Sequence, residues 1–544
     1  MRSTFMGLEA SKRGLFTQQS ALYTTGHNIS NANTEGYTRQ RVNMSPTQGY
    51  PGIGLNTPKT AGHIGTGVQA DSVQRIRDEF IDRQYRQETN KLGYWESRTN
   101  AITQMEDIMS EPSEYGLNEA FNLFWKSMQD VSTNSEDSAS RKVAIQRAEH
   151  LADSFNYIDT QLKRIQGNLG NEISVSTTHI NSILKQIGEI NKQIQAIEPN
   201  GYMPNDLYDA RDNLVDKLNE YLPVTIERVP SGGNALDIAE GSLTIKYKTK
   251  TGDEITLVNG KDYVKLATFD TNGTAVDGGI DNTGTTSAFH LFDKIQISAL
   301  GEPPANGSTS ATLNYEDLEP SKGKLVSLID SYGHSGNKGY YPEMLQNLDK
   351  LAKAFVTAFN EVHAKGFTLG TADKASTNGG AFFNGDSAAN ISVNNSILTD
   401  PNLLAASSVQ GEEGNGKWAI ELANLQFLGI ANGANVSVKK PDGTTDTSAT
   451  ISADLEGATF QAFYRGLIGQ LGVDGEESSR LQYNTETIRL TVQNNKASMS
   501  SVSLDEEMTN MITFQQAYNA NARMITVIDE TLDKIINGMG RVGL

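Results

Sequence analysis

The sequence predicts an α+β chain of several domains: coiled-coil-like paired terminal helices, an elongated helical bundle, and two β-rich inserted domains. Three patterns predict it. Apolar residues recur every seventh position at both ends of the chain; isoleucines at 3–4 spacing run through residues 158–197; and from Val224 the apolar period drops to two. A chain of 544 residues is long enough for roughly three or four domains with cores of their own.

The terminal helices come first. Leu8, Leu15, Leu22 and Ile29 continue a heptad row from Met1, with small Ala10, Gly14 and Ala21 on neighbouring faces. At the other end Leu504, Met511, Tyr518, Ile525, Leu532 and Met539 form a matching row. Beside it lie Met508, Ala522 and Ile536, flanked by Phe514, Ile528 and Ile535. No proline interrupts this stretch, and glycine enters only from Gly538, where a helix should end. Residues 1–45 carry a net +3 and residues 505–544 a net −3. Complementary stripes of opposite charge point to a chain folded back so that its ends pack together. The plainer alternative is two unrelated amphipathic helices lying on a common core. A lone helix pair buries too little apolar surface to offset the entropy of ordering both segments. Order is therefore expected only where further copies supply surface.

Between the ends, residues 45–67 are rich in Gly, Pro and Thr and read as an extended loop or short hairpin. Ile81, Tyr85, Leu92, Trp95, Ile102 and Met109 mark a helix that stops at Pro112, and a second runs over residues 118–131. The longest follows, from Ile158 to Ile197, ending before Pro199-Asn200-Gly201. Sustained heptads of this kind predict a rod-like bundle. Leu243, Ile245 and Tyr247, then Ile255 and Leu257, Val264 and Leu266, and Ile295 and Ile297 alternate with polar residues, the mark of half-buried strands. Helical spacing resumes from Leu345 to Val362; a polar, Gly-rich section covers 366–457; helix returns from Phe460 through Leu481, Ile488, Val492 and Met499.

Chemistry finds little footing. The chain has no Cys, hence no disulfide, thiolate metal site or thiol nucleophile. A net charge of −19 argues against nucleic acid, whose binding neutralises phosphates. No eighteen-residue apolar run suits a bilayer, and Gln18-Gln19 and Thr24-Thr25 interrupt what would be a signal-peptide core. Gly411-Glu412-Glu413-Gly414-Asn415-Gly416-Lys417 fits a phosphate-binding loop until Trp418 stands where Ser or Thr must hold magnesium. The seven histidines are scattered without ligand spacing. No catalytic, cofactor or metal residue is expected. Trp95, Phe124, Trp125, Phe355 and Phe359 sit at helical spacing and read as core.

Two terminal signatures carry a resemblance. The run Gly26 to Arg41, with Asn28, Asn31, Asn33, Gly36 and Tyr37, resembles the Asn-rich N-terminal motif of bacterial flagellar rod, hook and hook-associated proteins. Residues 504–523 resemble the matching C-terminal motif. Residues 205–215 and 345–367, the latter including Ala358-Phe359-Asn360-Glu361-Val362-His363, are similar to the hook-associated members at the first hook–filament junction. No family pattern covers residues 236–320 or 368–457.

The resemblance implies a non-enzymatic structural subunit that leaves through the flagellar type III apparatus without a cleaved signal. It implies an extracellular location on the flagellum, no membrane insertion and no nucleic acid. Implied partners are further copies in a helical ring or tube, hook protein, the second junction protein on the flagellin side, and a cytoplasmic export chaperone on the C-terminal helix. Residues 1–45 and 505–544 would line the tube; 46–223, 321–366 and 457–504 would form the rod-like helical domain. Residues 224–320 and 367–456 would be outer β-rich insertions. The expected assembly surface is Leu8, Leu15, Leu22, Ile29, Leu504, Met511, Phe514, Tyr518, Ile525, Leu532 and Ile536. A hook or distal-rod subunit, or an adhesin or enzyme carried on the insertions, remains the alternative.

Overall fold

The computed structural model describes residues 5–52, 64–110, 116–276, 290–303, 309–370, 375–439 and 445–538, with 54, 57 and 62. Met1 and Met539 lie outside the described residues, as does Asn306-Gly307-Ser308, which fits the Asn-x-Ser glycosylation triplet.

The chain opens with α1 (Phe5–Ser30) and an antiparallel hairpin, β1 (Gln40–Pro46) and β2 (Val68–Arg75). A helical rod follows: α2 (Glu79–Met109), α3 (Leu117–Thr133), α4 (Ser138–Ile197) and α5 (Asn205–Tyr221). Asp78 caps α2 and Asp137 caps α4, each carboxylate accepting from two first-turn amides. At 60 residues α4 spans about 90 Å and is the spine of the molecule. It begins some twenty residues before its isoleucine row. Arg141, Ala144, Ile145, Ala148 and Leu151 continue the same buried face, which the row alone does not reveal.

Strands β3 (Thr225–Val229), β4 (Ser242–Lys248), β5 (Glu254–Asn259) and β6 (Asp262–Tyr263) form one antiparallel sheet. A second holds β7 (Leu266–Asp270), β8 (Phe292–Ser298) and β9 (Thr309–Asn314). Both rest on the far half of α4. Asn191 bonds the Leu243 amide and the Leu243 and Gly260 carbonyls, and Asn181 brackets the Leu266 backbone. Gly188 abuts Lys261 and Tyr263 on the same face, and Ile180, Ile183, Ile187 and Ile194 are buried along this half of the helix.

The chain returns through α6 (Tyr315–Leu318), α7 (Lys324–Tyr332) and α8 (Tyr340–His363). In residues 367–456 the strands are few: β10 (Phe383–Asn384) with β11 (Ser392–Val393), and the hairpin β12 (Ala434–Lys439) with β13 (Thr445–Ile451). Short helices α9 (Asn395–Thr399) and α10 (Lys417–Asn424) stand between them, and this section wraps α3 and α8. The 41-residue α11 (Phe460–Ser500) then runs antiparallel to α2, and α12 (Leu504–Gly538) pairs with α1. On α11 the buried heptad is Tyr464, Leu471, Ser478, Thr485 and Val492, while Ile488 and Met499 face solvent.

The core is one contiguous apolar cluster from Ala101 to Leu471. Its centre is aromatic: Phe121, Phe124, Trp125, Phe155, Phe355, Phe359, Phe383 and Phe460 meet at centroid distances of 5.0–6.5 Å, stacked, tilted or edge to face. Trp95 lies apart, between the Arg98 and Lys322 cations.

The terminal helices also hold a surprise. Both are helical and paired within the single chain, where composition led us to expect order only among several copies. The missing surface comes from β1–β2, which packs on α1: Thr17 donates to the Val68 carbonyl, and Gly67 abuts the backbone of Ala10.

Candidate assembly interface and the polar joint beneath it

The α1–α12 pair is antiparallel with a constant register. A side chain at Gly7 would touch Ile528, one at Gly14 would sit 2.8 Å from Asn521, and Asn28 donates to Glu507 across 3.1 Å. The same register sets Ala21, itself 1% exposed, opposite Phe514. The seam is thus Gly7, Gly14, Ala21 and Asn28 against Ile528, Asn521, Phe514 and Glu507, each seven apart. Small residues on α1 let the helices approach closely.

The predicted leucine row lies one position beyond this seam and flanks it. Leu8, Leu15, Leu22 and Ile29 are partly buried, as are Met511, Phe514, Tyr518, Ile525 and Leu532 on α12. Leu504 and Ile536 are exposed. The outward faces of the pair carry Phe16, Tyr23, Met508, Ile512, Met524, Val527 and Ile535, all exposed.

The Asn-rich motif closes the end of the pair. Asn28 is buried at its centre: it donates to the Gln40 carbonyl and accepts from the Gln40 amide and the Tyr37 hydroxyl. Asn28-Ile29-Ser30 also fits the Asn-x-Ser triplet, but a side chain buried and bonded in this way is no glycosylation acceptor. Burial and the nearby carboxylates Asp206, Asp209 and Glu507 hold the Tyr37 hydroxyl protonated, well above its ordinary range. Asn31 caps locally, donating to the His27 carbonyl and accepting from Thr34, while Asn33 is exposed. Gly36 has φ +76°, and Asn213 occupies the space a Cβ would need. Arg39 reaches across to Glu507 at 2.7 Å and Glu506 at 2.6 Å.

Beneath the pair lies the Asn205–Val215 segment, the first part of α5, whose polar residues bond the motif and the hairpin. Asp209 accepts from the Thr38 amide, Asp206 from the Gln40 side chain, and Asn205 bonds Gln40 and the Val73 carbonyl. Asp212 sits among guanidinium groups of Arg75, Arg77 and Arg86. Burial raises its carboxyl, but Arg77, Arg75, Arg211 and Arg86 together pull it far below the ordinary carboxylate range. Glu240 bridges Arg75 and Arg211, and Lys496 of α11 joins Asp82 and Asp216. Ten charges from five places in the chain thus balance in one buried cluster.

The other similar segment, the end of α8, works differently. Asn360 bonds the Phe382 and Phe383 backbone, Glu361 accepts from Ser452, the Val362 carbonyl accepts from Trp418, and His363 bridges Gly380 and Ala405. Four consecutive residues clasp the 367–456 section to the rod. The loop that mimics a phosphate site belongs to this clasp: Trp418 is buried, and Gly416 abuts the Ser132 carbonyl.

Gly14 and Ala21 stand beside the leucines in the sequence without being marked as the seam, and the charged cluster has no signature there. Their row is a heptad one place out of phase with the leucines. Arg75, Arg77, Asp82, Arg86 and Glu240 carry no spacing signal. Among the described residues no three His, Asp or Glu gather to hold a metal, and no helix is long and apolar enough to cross a membrane.

The family described as the flagellar hook-associated protein FlgK helical domain matches residues 102–383. The flagella basal body rod protein family matches residues 8–38, and the flagellar basal body rod FlgEFG protein C-terminal family matches 493–538. The latter two fall on the paired ends. Flagellar hook-associated protein 1 of Bacillus subtilis is 40% identical, with 99% of each chain covered. The proteins of that name from Salmonella typhimurium and Escherichia coli are each 26% identical, covering 96% of this chain and 98% of theirs. The solved structure of the flagellar hook junction protein FlgK from Burkholderia pseudomallei shares the fold, with a TM-score of 0.55 at 13% identity, over 77% of this chain and all of that one. The chain belongs to the flagellar hook-associated protein 1 family.

Proposed function

We propose that this protein is a structural subunit of the bacterial flagellum that polymerises at the hook–filament junction, so that the filament can be attached. One observation carries the reading: the ends pair along a seam of small residues, leaving Phe16, Tyr23, Ile512, Met524 and Val527 outward on both sides of a two-helix ribbon. A ribbon apolar on its outer faces is completed by neighbours of its own kind, and a repeated heterologous contact builds an open tube. In this reading residues 1–45 and 505–544 line the tube, and 46–223, 321–366 and 457–504 form the surrounding rod layer. Residues 224–320 and 367–456 face outward. Hook protein lies on one side and the second junction protein and flagellin on the other; no catalytic role is assigned.

Export through the flagellar type III apparatus fits the family. A helical chaperone that covers α12 through Met511, Phe514, Tyr518, Ile525 and Leu532 would prevent premature assembly. Removing residues 505–544 should then abolish co-purification with it, and undiminished binding would move the site elsewhere. The decisive experiment for the function is deletion of the gene: cells should carry hooks without filaments and shed flagellin into the medium. Cells that still assemble filaments would refute the reading.

A further inference from the structure

Within the rod, α2 and α11 pair antiparallel in a register marked at two levels. A Cβ at Gly475 would meet Glu106 and Ile102, and Lys496 lies over the Tyr85 ring, 4.5 Å from its centroid. Along that register the pair changes character. One half is apolar: Ala101, Ile102, Met105 and Met109 of α2, with Phe460, Tyr464 and Leu471 of α11, belong to the contiguous core. Among the described residues that core takes in no buried residue of α2 before Ala101 and none of α11 after Leu471. The buried positions of the other half are Asp82, Glu88, Asn90, Gly93 and Ser97 on α2, and Ser478, Thr485 and Val492 on α11.

From Ser478 to Ser500, α11 is thus a strap about 33 Å long with little apolar seating. Of its buried positions only Val492 is aliphatic. Ser478 weakens the seat, because its hydroxyl is fully buried with no hydrogen-bond partner among the described residues, and an unmet buried donor is destabilising. Thr485 bonds back to its own helix, at the Leu481 carbonyl. The larger apolar side chains, Tyr483, Ile488, Leu490 and Met499, are exposed instead. What fastens the far end is Lys496. Its ammonium lies 2.8 Å from Asp216 of α5 and 3.5 Å from Asp82 of α2. Each carboxylate has a second cation, Asp82 in Arg77 and Asp216 in Arg86, so neither is stranded when the lysine leaves. A lifted strap is a lone helix, marginal in water, so lifting and unfolding are one event.

We propose that residues 478–500 form a strap that opens from the rod as one unit while the apolar core stays folded, and that Lys496 is the clasp that sets how often it opens. The inference depends neither on the assembly reading nor on the terminal helices, because strap and clasp lie within the rod. Hydrogen–deuterium exchange on the isolated full-length chain tests it. In the unaltered chain, residues 478–495 should exchange at least about tenfold faster than 460–475, with a step between the two. Lys496→Met keeps the apolar stem and removes the charge. It should speed exchange across 478–495 by a further factor of about ten and leave 460–475 and 101–109 as they were. Ser478→Ala removes the unmet hydroxyl and should act in the opposite direction, slowing strap exchange roughly fivefold. A strap as protected as 460–475, or a smooth rise toward Ser500 with no step, overturns the separate unit. Unchanged strap exchange in Lys496→Met overturns the clasp. Faster exchange in 460–475 and 101–109 alongside the strap overturns it too, because the lysine then holds the whole rod.

Discussion

His363 shows how one residue turns burial into a pH dependence. It is fully buried at the end of α8; Nδ1 donates to the Gly380 carbonyl at 2.8 Å, and Nε2 accepts from the Ala405 amide at 2.9 Å. A second proton would abolish the latter bond and place a cation near Arg141, which is itself buried, and its pKa is lowered to about 10 by burial. Burial accordingly lowers the His363 pKa from 6.5 to about 4. The sign follows: the unfolded chain binds the proton first, so stability is complete above pH 6.5 and is lost as pH falls from there toward 4. Between pH 7.5 and 5 the loss from this residue should be about 2 kcal/mol. Denaturant titrations of the native chain and of His363→Gln at both pH values check it. The variant should start less stable and lose less; parallel losses would show that other groups carry the dependence.

At the scale of elements, the seam depends on the absence of side chains rather than on their apolar area. A Cβ at Gly14 would sit 2.8 Å from the Asn521 side chain, which would have to move to admit it. Gly14→Val should push α12 away and cost about 1–3 kcal/mol of pairing, seen as faster amide exchange in residues 5–30 and 504–538. The apolar core begins at Ala101 and includes neither helix, so the main thermal transition should move little. Tyr518→Asp and Ile525→Asp belong to the same test. Both positions are partly buried against the partner helix, so a carboxylate there should loosen the pair already in the isolated subunit, before any neighbour is involved.

For the whole molecule the discriminating positions are those facing outward. Met524 and Val527 are 52% and 51% exposed in the single chain. Met524→Asp with Val527→Asp should leave folding and export unchanged and abolish retention on the hook tip, because the cost arises only when a neighbouring subunit desolvates the carboxylates. Loss of the filament with a normal melting curve is the expected result. Filament growth as in the parent cell would exclude this face from the interface.

Much of this architecture is legible in the residues alone. The seven-residue rows at 8–29 and 504–532, the isoleucines of α4 and the period of two in β4, β5 and β8 each follow from the repeat of the element that carries them, so local pattern suffices. The opposite charges of the ends announce their pairing. Local pattern does not contain phase across an interface. Leu8, Leu15, Leu22 and Ile29 look like the seam because hydrophobicity marks them, yet close helix approach selects the small row of Gly7, Gly14, Ala21 and Asn28 beside them. Nor does it contain the gathering of Arg75, Arg77, Arg86, Asp209, Asp212, Glu240 and Lys496, spread over more than four hundred residues. Each of these side chains alone reads as a solvated surface charge. Only the crossing of β2, α2, α5 and α11 at one place removes water from them, and in that dry setting each becomes the other's necessary partner.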